Sequence, residues 1–202
     1  MPNLYHLTVL MIFAAAFLGM TAPVKKPISQ VSDVSVVSPA HSIEETAEYI
    51  PWHHERLLTW DDFQGPPKRH TDAVASTSTS LGISYQIVNG ELTYQITCHF
   101  SKPKSWGSLK TDYILAHEQA HFDITEIYAR KLHEALSNYQ LDRNNYQQDI
   151  GRIYNEIVDG KESMQKAYDG ESDHSRKRNQ QMEWLERIDQ LLLETEPYAA
   201  YP

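Results

Sequence analysis

The chain has 202 residues, a length that fits one domain with a short extension. With 41% hydrophobic residues and a net charge of −9, it can fill an ordinary core, and without a basic patch it argues against a nucleic-acid partner. Its single cysteine, Cys98, excludes an intramolecular disulfide and leaves the core, and metal if present, to stabilise the fold.

Residues 7–18 are an almost unbroken apolar run, followed by small residues at Gly19, Thr21 and Ala22. This pattern predicts an export signal over residues 1–22 and a periplasmic or extracellular protein. No Lys or Arg precedes the run, and Pro23 is a poor residue after a cleaved bond. An uncleaved N-terminal anchor is therefore the alternative, and the one case in which a membrane is a partner. Residues 23–48 are rich in turn formers without a sustained period and read as a linker. The compact domain is expected over 49–196, with 197–202 as a tail. It opens on an aromatic segment, Trp60-Asp61-Asp62-Phe63, that closes in a turn at Gly65-Pro66-Pro67.

Two strands follow. Leu81, Ile83, Tyr85 and Ile87 alternate with polar or small residues, Asn89-Gly90 is a two-residue hairpin signal, and Leu92, Tyr94, Ile96, Cys98 and Phe100 alternate on the return. Cys98 then faces the core. From Thr111 the chain turns helical. Thr111-Asp112 is an N-cap, and residues 113–139 contain neither Pro nor Gly. A second helix is expected over about 142–168, with Gly160 as a point of interruption. A polar break follows at 168–175, and a last amphipathic helix carries Trp184, Leu185, Ile188, Leu191 and Leu192. Strands first and helices after predict an α+β domain: an N-terminal hairpin or small antiparallel sheet, then a helical, zincin-like part.

The first long helix carries His117-Glu118-Gln119-Ala120-His121, the pattern H-E-x-x-H. Residues four apart on a helix are neighbours on one face, so two imidazoles can meet one ion at about 2.0–2.1 Å each. Glu118 is placed to take a proton from water beside that ion. The helix is apolar around most of its circumference, and polar groups inside it are costly unless something satisfies them. Catalytic zinc takes a third protein ligand. Asp123 and Glu126 are rotated away on the helix, Asp123 reading as a supporting or capping group. The polar break offers Asp169, Glu171, Asp173 and His174; His174 is the first choice and Glu171 the second. Tyr168 is a candidate oxyanion stabiliser. His53, His54, His99 and His133 read as surface or core groups.

The stretch Tyr113 to Glu126 with Tyr128-Ala129-Arg130, together with Trp60-Asp61-Asp62-Phe63, Ser105-Trp106, Tyr168-Asp169, Glu171-Ser172, His174 and Trp184, resembles the bacterial domain-of-unknown-function family 922. That family is described as secreted zinc-dependent proteases. The resemblance runs from about Trp52 to Leu192; Ala120 stands where Gly is expected, Ser172 for Thr and Ser175 for Gly. It implies a Zn²⁺ cofactor, a peptide or protein substrate and metallopeptidase activity, and it favours His174 as third ligand. A zinc amidase acting on a cell-wall or other non-protein amide, and a non-catalytic metal-binding domain, are the alternatives.

Overall fold

The computed structural model describes residues 45–202. The expectations for residues 1–22, and for all but the last residues of the 23–48 segment, lie outside the described residues. Residues 45–48 belong to the folded part: Glu45 pairs with Arg56 at 3.0 Å and with Lys102 at 2.6 Å.

The architecture is α+β, a small antiparallel sheet followed by three long helices. Its strands are β1 (Tyr49–Pro51), β2 (Ala75–Ser76), β3 (Thr79–Val88), β4 (Glu91–Ser101) and β5 (Trp106–Gly107); its helices are α1 (Asp112–Ser137), α2 (Tyr146–Ser172) and α3 (Arg178–Glu194). The main sheet has the order β1-β4-β3, and β2 pairs with β5 beside it. The β3–β4 hairpin turns at Asn89 and Gly90 as the sequence predicts, both with positive φ (53° and 87°), which suits the right-handed twist of the two strands. The register sets Leu81 against Cys98 and Ile83 against Ile96, so the period-two pattern supplies one apolar face. Among the described residues, no helix is long and apolar enough to cross a membrane.

Helix α1 is the centre of the molecule. The Thr111 hydroxyl caps it, accepting from Ile114 N at 3.2 Å. Phe122, Ala129, Leu132 and Leu136 join Ile83, Ile96, Cys98 and Phe100 of the sheet in one core. Ala120, Ile124 and Ile127 join Met164 and Tyr168 of α2 and Trp184 and Ile188 of α3 in a second. Helix α2 runs unbroken through Gly160 and four residues beyond the expected end. Gly160 has a packing role: a Cβ there would stand 2.8 Å from the Tyr128 ring, so its absence lets α1 and α2 approach. Residues 197–202 pack back on the domain: the Tyr201 hydroxyl donates to Glu126 at 2.8 Å, and Ile96 N donates to Pro202 O at 2.8 Å.

The Trp60–Asp62 turn is fixed from both sides. The Trp60 ring lies over Gly107, and the Phe63 ring reaches Phe100 at 5.1 Å between centroids. Asp62 accepts from Thr59 N at 2.7 Å and from Arg56 at 2.7 and 3.1 Å. Burial pushes the Asp62 carboxyl up, but Arg56 and Thr59 outweigh it and hold its pKa below the ordinary value. Replacing Asp62 with Ala is expected to cost about 1.5–3 kcal/mol in a denaturant melt at pH 7, the range for hydrogen bonds to a charged group. A depressed carboxylate contributes stability above its unfolded pKa, about 3.9, that is lost as pH falls through the folded value. The difference between parent and variant should therefore shrink on acidification below about pH 4; a constant gap would contradict the assignment.

Candidate metal centre

Helices α1 and α2 pack antiparallel, so His117 meets Asp169 and His121 meets Gln165. His117 Nε2 and His121 Nε2 lie 3.3 Å apart, and Asp169 Oδ1 lies 3.2 Å from the first and 3.1 Å from the second. Two ligand atoms about 2.0–2.1 Å from one tetrahedral ion are about 3.3–3.4 Å apart. The three atoms thus sit close to the edge lengths of a tetrahedral face, and among the described residues they form a group able to hold a metal ion.

The proton arrangement supports the same reading. The Gln165 amide donates to the His121 carbonyl at 2.8 Å, which leaves its oxygen to accept from His121 Nδ1. The Nδ1 proton is then fixed, and neutral His121 presents a lone pair at Nε2. If Asp169 instead accepted protons from both Nε2 atoms, two N–H groups would face each other across 3.3 Å. A single cation satisfies all three atoms. His117 Nδ1 has no partner among the described residues, although a ligating histidine usually donates its other N–H.

Glu118 is buried at 4% exposure, and its Oε2 has no partner among the described residues. Its carbonyl accepts from Thr77 at 3.1 Å, which ties the helix to the segment before β3. His117, Glu118, His121, Asp169 and His174 line one open cleft of about 1040 Å³, which the 71–79 segment also lines.

The expected third ligand is differently placed. Asp169 and Glu171 lie on the last turn of α2, not on a loop. Asp169 faces α1, whereas Glu171, two residues on, points to α3 and accepts from Trp184 Nε1 at 2.8 Å. That contact removes it from the centre. His174 is at the cleft mouth with its side chain 58% exposed, Nδ1 3.3 Å from Asp169 Oδ1. It touches the same carboxylate oxygen but is not in the three-atom group. Asp173, His174 and Ser175 all have positive φ (50°, 48° and 71°), a strained run for residues with a Cβ. The loop is held by Tyr113, whose hydroxyl donates to Ser175 O at 2.7 Å.

Tyr168 does not face the cleft. It is fully buried, its ring stacks on His117 at 4.5 Å, and its hydroxyl lies 3.5 Å from the His117 carbonyl. Burial, then the charges of Glu118 and Asp169, push its pKa far above the ordinary value. It is a platform for His117, and the oxyanion role expected for it has no geometric support. Asp123 lies on another side of α1, accepting from Trp52 Nε1 and Gln119 Nε2 at 2.8 Å each; burial pushes its pKa up to about 6. It tethers the start of the domain to α1 and is no neighbour of the centre. Cys98 is a core residue, 3% exposed, its thiol pushed up by burial.

Burial pushes the Asp169 carboxyl up, but the two imidazoles dominate and hold it well below the carboxylate range. Burial lowers the His121 pKa, yet the Asp169 contact raises it above 6.5 overall. A ligand imidazole must be deprotonated, so metal competes with that proton. Zinc affinity, measured by chelator competition, should be level above the raised value. Below it, affinity should fall about tenfold per pH unit for one displaced proton. Affinity unchanged between pH 8 and 5 would remove His121 from the ligand set.

No curated protein and no solved structure matches the chain. The family model described as "Bacterial protein of unknown function (DUF922)" matches residues 55–175. The match takes in the Trp60–Phe63 turn, the hairpin, all of α1 and α2, and the strained loop to Ser175. It covers well over half of the sequence and agrees with the resemblance carried by those motifs: the chain belongs to the DUF922 family of bacterial proteins.

Proposed function

We propose that the protein is an exported, zinc-dependent peptidase with a zincin-like helical part, and that His117, His121 and Asp169 are its metal ligands. One observation carries this reading. Three acceptor atoms converge at tetrahedral edge distances beside a buried Glu118 oxygen that has no partner among the described residues. Zinc held there supplies, when bound, a Lewis acid for the scissile carbonyl and a lowered pKa for water. Everything else falls to the chain. Glu118 takes the proton from the attacking water and returns it to the leaving amine. Gln165 fixes the His121 tautomer, and Tyr168 holds the His117 ring in place. The 71–79 segment and residues 174–176 line the same open cleft, and Arg176 joins them by donating to the Asp72 carbonyl at 3.1 Å. A purely structural site has no use for a base and is closed by a fourth protein ligand; the exposed side chain of His174 argues for the open arrangement. Export rests on the apolar run at 7–18.

Glu118→Gln keeps the size and position of the side chain and removes the base. The variant should retain the parent's zinc content and lose about 10²–10⁴ in turnover of unfolded casein. Full activity in the variant would refute the assignment of the base. A parent that is zinc-loaded but inert on unfolded protein, and active on peptidoglycan fragments, would move the substrate to a cell-wall amide.

A further inference from the structure

A second cavity, of about 1090 Å³, lies on the other side of α1 between the edge of β4, α3 and the last residues of the chain. It shares no lining residue with the metal cleft. Its walls are largely apolar: Leu57, Leu193 and Pro202 are exposed at the rim, Leu192 is half-buried and Ile96 is buried. Concave, mostly apolar sites with a few convergent polar groups are the usual form of a small-molecule site.

The polar groups have one sign in excess. Asp123, Glu126, Asp189 and Glu196 line the cavity, against Arg130 as the one permanent cation. Arg130 is already committed: it donates to Glu126 at 2.8 Å and to Leu192 O at 2.8 Å, with both side chains of the pair buried. The donors to Asp123 are neutral, the Trp52 indole and the Gln119 amide. Neither Asp123 nor Asp189 has an ion-pair partner among the described residues. An apolar chamber with more carboxylates than cations is complementary to an apolar body that carries a positive charge.

We propose that this cavity binds a small amphiphilic cation, a primary alkylammonium in chemical class, with its charged head against Asp123 and Asp189 and its chain along Ile96 and Leu192. The site is independent of the metal centre, so neither proposal stands or falls with the other.

Hexylammonium, with 1-hexanol and hexanoate as matched controls, tests this by isothermal titration of the full chain at fixed ionic strength. Saturable one-to-one binding of hexylammonium is expected, at least tenfold tighter than hexanol, with hexanoate weaker still. Asp123→Asn keeps an acceptor for Trp52 and Gln119 and should bring hexylammonium down to the level of hexanol. Asp189 is exposed on α3, so Asp189→Asn leaves folding intact and should weaken hexylammonium several-fold with hexanol unchanged. Equal affinity for ammonium and alcohol, no saturable binding, or unaltered affinity in both variants would overturn the proposal.

Discussion

The antiparallel register of α1 against α2 is the constraint on which the site depends. It brings an i, i+4 pair on one helix, His117 and His121, against an i, i+4 pair on the other, Asp169 and Gln165. The same register sets Gly160 against Tyr128, where a Cβ would push the helices apart and open the distances at the site. Close helix approach and ligand convergence are thus one packing solution.

Such a site is expensive. His117 and Glu118 are each only 4% exposed, and buried polar groups without partners cost several kcal/mol. The surrounding fold offsets this with the two apolar clusters that hold α1 from opposite sides and with a set of braces. Thr125 donates to the His121 carbonyl at 3.1 Å and meets Thr79 at 2.7 Å. Thr77 and Gln165 bond the carbonyls of Glu118 and His121. The helix carrying the polar residues is therefore fixed at both of its critical carbonyls. At the centre itself, His117 Nδ1 and Glu118 Oε2 stay without a partner among the described residues.

Much of this was legible in the sequence because the signals are local. Asn89-Gly90 and the alternation around it define the hairpin, and Thr111 with a Gly- and Pro-free stretch defines α1. The pair His117 and His121 follows from helical spacing alone. The structure groups Asp169 rather than His174 with the two histidines, because α2 does not end where the sequence turns polar. The run Asp169-Gly170-Glu171-Ser172 looks like a turn, yet Ser172 returns its hydroxyl to the Tyr168 carbonyl at 2.6 Å and Glu171 binds Trp184, so the helix continues to Ser172. On a helix, Asp169 and Glu171 point different ways, and His174 falls beyond the cap. The mirrored spacing of Gln165 and Asp169 was a usable signal, but its meaning depends on which face of α2 meets α1, and that is set by tertiary packing. The position of Tyr168 was hidden for the same reason: the sequence places it beside the site without saying that its ring lies against His117.

Zinc affinity of the Asp169→Ala and His174→Ala variants, measured side by side by chelator competition at pH 7.5, tests the ligand set most directly. The geometry predicts that loss of Asp169 abolishes tight zinc binding and that loss of His174 leaves about one zinc per chain. Zinc retained without Asp169 and lost without His174 would contradict the three-atom centre and return the third position to the loop.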